Sequence, residues 1–95
     1  MNLYINIGAH GKMTVDTDKL DEWNQRDFKK LLQLIKMNFG RNDNSAFILD
    51  KLSEGCYKLK ESYWSFYMKM KVKKYLNIYN KMIKFIEFID EVRNG

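Results

Sequence analysis

Ninety-five residues, 45% hydrophobic and 31% charged, read as one globular domain spanning 1–95 and exclude a disordered tail. One Cys (Cys56) and one His (His10) rule out an internal disulfide and a zinc cage of soft ligands, so no metal or other cofactor is expected. The 17 Lys+Arg outweigh 12 Asp+Glu to give a formal charge of +5, which favours polyanionic partners.

The start, MNLYINIG, has neither a basic leader nor a continuous apolar stretch, and no run of 18 apolar residues occurs. These features predict a cytoplasmic chain that makes no use of a membrane. Residues 2–7 alternate, with Leu3, Ile5 and Ile7 on one side and Asn2, Tyr4 and Asn6 on the other. Met13 and Val15 alternate with Lys12, Thr14 and Asp16 after the turn Gly8-Ala9-His10-Gly11, so 1–17 is expected to be a β-hairpin. The string GAHGK lacks the spacing and following Ser or Thr of a phosphate loop, which leaves His10 as an exposed tip residue.

Residues 18–55 read as helices. Thr17 or Asp18 caps the first, and Leu20, Trp23, Phe28, Leu31, Leu34 and Ile35 recur at helical spacing. This element runs unbroken to 39 or divides near Asn24-Gln25; Gly40 ends it. Asn44 or Ser45 caps a second helix over 44–54 with Phe47, Ile48 and Leu52 inward, and Gly55 closes it. Two helices joined by a short Gly-containing turn fit a helix-turn-helix, or an ordinary helical hairpin.

In 56–73, Phe66, Met68, Met70 and Val72 alternate with Tyr67, Lys69, Lys71 and Lys73, and Tyr57 and Leu59 with Lys58 and Lys60. Strict period-2 patterning favours a β-hairpin with both lysine rows on one face. The rival reading is a helix from about 57 to 93. Trp64 and Phe66 are expected in the core, Met68 and Met70 as core fillers, and Tyr63 and Tyr67 at the surface, although rings among lysines also suit stacking on single-stranded bases. From 74 to 93 the pattern is helical, with an apolar arc of about 200° against the roughly 100° one core needs. Such an excess predicts a homodimer through Ile78, Phe85, Phe88, Ile89 and Val92.

Charge is placed unevenly. Residues 1–56 are neutral, 57–84 carry eight Lys against Glu61, and 85–95 are mildly acidic. The 14 Lys against 3 Arg, with 9 Asn and 2 Ala, match an AT-rich coding bias, so the number of lysines carries less weight than their placement. That placement predicts double-stranded DNA as partner, with phosphate contacts from Lys51, Lys58, Lys60, Lys69, Lys71 and Lys73 and a contribution from Tyr67. At the start of the second helix, Arg41 can read guanine and Asn42 and Asn44 adenine, and Ser45 lies where a helix N-terminus favours phosphate.

The order helix, turn, helix, basic hairpin over 18–73 resembles the winged helix-turn-helix DNA-binding proteins, and among them the small relaxosome accessory (TcpK-like) proteins of conjugative plasmids from low-GC Gram-positive bacteria. The resemblance implies an α+β winged-helix-like fold in which helix 44–54 enters the major groove, 57–73 forms the wing and a long terminal helix dimerises. It also implies a non-enzymatic accessory or regulatory role on a plasmid or phage. Asp50 and Glu54 against Lys51 depart from the charge expected of a recognition helix. No nucleophile elbow, HExxH or CxxC occurs, and Cys56 reads as a small buried side chain. The alternative function is a small phage-type inhibitor, an anti-defence factor that binds a protein partner with the same basic face.

Overall fold

A computed structural model describes residues 1–6, 9, 11–39 and 43–95, with the backbone alone for 38, 39 and 43. The fold is α+β. Strands β1 (Asn2–Asn6) and β2 (Lys12–Asp16) pair antiparallel with Leu3 opposite Val15 and Ile5 opposite Met13. Leu3, Ile5 and Val15 are buried, so the alternation in sequence is a real half-buried face. His10, at the expected turn, lies outside the described residues.

A 3-10 segment over Thr17–Glu22 follows, capped by the Asp16 carboxylate, which accepts from the Asp18 backbone N–H at 3.0 Å. The chain then breaks at Trp23-Asn24, resolving the choice left open between one helix and two. Asn24 caps the next helix, α1 (Gln25–Phe39): its side-chain oxygen accepts from the Asp27 N–H at 2.8 Å, while its amide donates to the Asp27 carboxylate at 3.2 Å. Phe28, Leu31, Leu32 and Ile35 recur at three- and four-residue steps and are buried.

Helix α2 (Asp43–Met70) is 28 residues long and α3 (Lys73–Asn94) is 22, so they span about 42 and 33 Å. The basic β-hairpin expected over 56–73 is therefore absent: 57–70 continue α2, and the winged-helix order loses its wing. The single helix over 57–93 is also interrupted, because the chain reverses at Lys71-Val72. The alternation misled because it has no buried side. Phe66 is 41% exposed, Met70 61% and Val72 43%, so these apolar positions cover no sheet face. The effective spacing is Leu59, Tyr63 and Tyr67, half-buried at four-residue steps along α2.

Gly55 does not end its helix. A Cβ there would lie 2.8 Å from the Thr17 carbonyl oxygen and 2.9 Å from the Thr17 Cβ. The glycine lets the 3-10 segment press directly onto the α2 backbone, one residue before buried Cys56.

The core ends near there. On α2 it holds Ile48, Leu49, Leu52 and Cys56; on α3 it holds Met82, Phe85, Ile86 and Ile89. Phe28 of α1 stacks on Phe85 with centroids 4.1 Å apart, and Trp23 meets the edge of Phe28. This packing covers much of the wide apolar arc of α3 within the chain itself. One part of the arc faces α2 and another faces α1, so Phe85 and Ile89 are fully buried in the protein's own core. Phe88 and Val92 are half-buried against the same core, with the Lys29 ammonium 4.5 Å from the Phe88 ring centre.

Two substitutions test these assignments. Gly55→Ala should destabilise the fold by about 1–3 kcal/mol in urea denaturation through overpacking, although helix propensity alone favours Ala by about 1 kcal/mol. Phe85→Ala should cost about 3–5 kcal/mol, and the loss should not depend on protein concentration, as it would if Phe85 stabilised a dimer.

Candidate nucleic-acid interface

Between Cys56 and Met82 no residue is buried. This stretch, 57–81, is the distal half of the α2–α3 hairpin, where the two helices outrun the body. The reversal at its end takes two residues. Lys71 adopts a left-handed conformation, φ 56°, and its N–H donates to the Tyr67 carbonyl at 2.7 Å, closing α2 as a left-handed cap. Val72 is extended and starts α3, with the Tyr75 N–H donating to its carbonyl at 3.0 Å. So short a link makes the helices antiparallel. Phe66 thus faces Tyr75, Trp64 faces Tyr79, and Asp50 receives a hydrogen bond from Arg93 near the other end.

The 3-10 segment braces the base of this projection. The Tyr63 hydroxyl donates to the Asp21 carboxylate, and the Lys81 ammonium donates to the Asp21 carbonyl. Lys58 lies 3.8 Å from Asp18. The hydrogen bond to Asp21, with burial second, pushes the Tyr63 phenol up to about 12 from 10.0. A raised folded-state value means this bond adds stability below about pH 10 and loses it as pH rises towards 12. Burial lowers the Lys81 ammonium from its ordinary value, opposed by the nearby Asp21 charge.

Beyond that brace the rings divide into two clusters. Tyr63, Phe66 and Tyr75 pack together on the side of the 3-10 segment. Trp64, Tyr67 and Tyr79 pack on the other flank, since Trp64 and Phe66 are about 200° apart around α2. The expectation of core positions for Trp64 and Phe66 is thus reversed: Trp64 is 43% exposed and Phe66 41%, whereas Tyr63 and Tyr67 are half-buried. Met68 and Met70 fill no core and stand exposed near the tip.

The lysines of this region are the sequence-expected DNA contacts. Lys58, Lys69, Lys71 and Lys73 are exposed, as is Lys74, while Lys60 is half-buried. Among the described residues no carboxylate lies within 4.0 Å of Lys60, Lys69, Lys71, Lys73 or Lys74. Glu61 is the only acidic residue from 57 to 81, against seven lysines. Lys60 and Lys71 instead stand over aromatic rings, 4.9 Å from the Tyr57 centroid and 5.4 Å from that of Tyr67.

The expected base-reading group does not assemble. Arg41 and Asn42 lie outside the described residues. Asn44 is exposed, but Ser45 is buried, which removes it from any groove contact. Lys51 is held 3.4 Å from Glu54 and over Phe47, far along α2 from the tip lysines. Of the expected dimer residues, Ile78 alone belongs to the distal hairpin, and it is half-buried. The aromatic stripe on α2 escaped the sequence reading, though the steps from Tyr57 through Lys60, Trp64 and Tyr67 to Lys71 were visible as helical spacing.

Among the described residues no three His, Cys, Asp or Glu side chains group as a metal site, and no helix is long and apolar enough to cross a membrane. Burial pushes the Cys56 thiol up to about 12, so it carries almost no thiolate at neutral pH. No protein-family model matches the chain, and no curated protein or solved structure matches it.

Two measurements probe this region. Cys56 should resist thiol reagents in the folded protein at mildly alkaline pH and react fully in concentrated guanidinium; rapid native modification would contradict its burial. Lys71→Gly should raise stability by about 1 kcal/mol, because glycine adopts positive φ without the Cβ penalty. The same change should weaken polyanion binding, which separates the charge of Lys71 from its backbone role.

Proposed function

We propose that this chain is a non-enzymatic DNA-binding protein that holds the sugar-phosphate backbone with the distal half of its α2–α3 hairpin. The observation that carries this reading is the cluster of five lysines, at 60, 69, 71, 73 and 74, without a carboxylate within 4.0 Å among the described residues. Unpaired ammonium groups gathered on one projection repel each other. That arrangement is favourable when an anion as dense in charge as DNA lies against it and releases its counterions. A helical hairpin replaces the expected wing as the basic element, and the lysine side chains remain its contacts.

Lysine contacts go mostly to phosphates, where they set affinity and register, and Ser45 is buried. The binding is therefore sequence-tolerant and set by charge, fitting an accessory role on DNA better than operator selection. Both duplex and single strand carry the phosphates this surface needs.

Fluorescence anisotropy with a labelled duplex tests the reading. If three to four phosphates are neutralised, affinity should fall by about 40- to 150-fold between 50 and 200 mM salt. Replacing Lys69, Lys71 and Lys73 together with Ala should flatten the log–log salt slope by about 2.7 while circular dichroism stays unchanged. Replacing Lys12, Lys29 and Lys30 on the body should leave the slope nearly as it was. Absence of binding at low salt overturns the proposal.

A further inference from the structure

On one flank of α2, Tyr57, Lys60, Trp64, Tyr67 and Lys71 follow each other at steps of three, four, three and four residues. Such spacing keeps all five on one stripe of the helix. The stripe lies within a single unbroken helix up to its cap, so it is straight and about 21 Å long. Its members run ring, ammonium, ring, ring, ammonium. Lys60 stands over Tyr57 and Lys71 over Tyr67, while Trp64 sits between them, 6.0 Å from Tyr67 and 5.0 Å from Tyr79 of α3. Tyr57 and Trp64 are 46% and 43% exposed, so each offers ring surface to solvent.

Phosphate binding alone does not account for these rings. An exposed row of lysines suffices for a duplex, whose bases are stacked on one another and closed to side chains approaching the backbone. Exposed rings between the lysines have a use when the ligand has flat apolar faces of its own, at intervals along an anionic backbone. An unpaired nucleic-acid strand has both features. At 3.4 Å per stacked nucleotide, a 21 Å stripe runs beside about six of them. No residue from 57 to 81 is buried, so the stripe is accessible along its length; it is open at the Lys71 end, and at the Tyr57 end it meets a depression lined by Asp50, Glu54, Lys58, Glu61 and Arg93.

We propose that the Tyr57–Lys71 stripe binds unpaired strand, with bases stacking on Tyr57 and Trp64 and phosphates held by Lys60 and Lys71, so that single-stranded DNA binds more tightly than the matching duplex. This inference rests on the DNA-binding reading and adds to it a preference between forms of DNA. The other aromatic cluster, Tyr63, Phe66 and Tyr75, is tied to the 3-10 segment through Tyr63 and takes no part.

The test compares an unstructured 12-nucleotide thymidine strand with a 12-base-pair duplex, using a Trp23→Phe background so that fluorescence reports Trp64 alone. The expected result is tighter binding of the strand by about tenfold, with quenching of Trp64 as bases stack on it. Trp64→Leu should weaken strand binding by about 5- to 100-fold, leave duplex binding nearly unchanged, and abolish the preference. Trp64→Phe, which keeps a ring, should restore most of it; circular dichroism and urea denaturation verify that each variant is folded. Equal affinity for strand and duplex, with no effect of Trp64→Leu, overturns the stripe while leaving phosphate binding intact. Binding of neither removes both readings, and capture on vesicles containing phosphatidylserine in that case assigns the surface to anionic lipid.

Discussion

The two-residue reversal at Lys71-Val72 sets the register on which the rest of the structure depends. With no slack in the link, α2 and α3 must run back along each other, and each residue of one helix has a fixed neighbour on the other. Phe66 meets Tyr75 and Trp64 meets Tyr79 near the tip; Asp50 meets Arg93 far from it. The same register brings Leu52 and Cys56 level with Ile89 and Phe85, where α1 and the β-hairpin complete the core. One left-handed lysine, at a cost of about 1–2 kcal/mol relative to ordinary backbone, therefore aligns both the core and the projection.

The length mismatch between helices and body then determines what is left exposed. Helix α1 covers its partners for 15 residues, and the 3-10 segment reaches only as far as Tyr63 and Lys81. Past that point two helices have only each other. Two helices cannot bury large side chains on both flanks, so the distal hairpin uses wide rings that contact across the helix pair and remain half open to water. Lysine stems lie alongside those rings and keep their charges in solvent, as at Lys60 and Lys71. The exposed aromatic surface is thus a consequence of geometry as well as a candidate contact surface.

Much of the first half of the chain was legible in sequence. Alternation at Leu3, Ile5, Met13 and Val15 marked real strands because one face meets the core. Whether the chain breaks at Asn24 was open in sequence, and the Asn24 side chain, which caps the helix that follows, decides for the break. The second half was legible only in part, for three physical reasons. Period-2 alternation at 66–73 lacked the burial that gives it meaning. Gly55 looked like a stop, yet served a close approach from Thr17, a residue 38 positions away that no local pattern identifies. The breadth of the apolar arc on α3 was visible, and the part of it at Phe85 and Ile89 is covered within the chain, by Phe28 and its neighbours on α1 among others. The lysine placement was also correctly visible and survives the change from strand to helix, because it depends on position along the chain more than on local conformation.

That survival has an electrostatic consequence. Asp16, Asp18, Asp21 and Glu22 gather in and beside the 3-10 segment, at the base of the hairpin. There they meet Lys58 and Lys81, which are the lysines nearest the body. Lys71 is eight residues beyond Tyr63, the last α2 residue joined to Asp21, and so about 12 Å further out along the helix. At physiological ionic strength the screening length is about 8 Å, so the acidic base neutralises its immediate neighbours and has little effect on the tip. The charge of this protein therefore divides along its 44 Å long axis, neutralised where the hairpin joins the body and uncompensated where it projects. The field around the molecule is therefore most positive at the end that holds the exposed rings and close to neutral at the end that holds the core together.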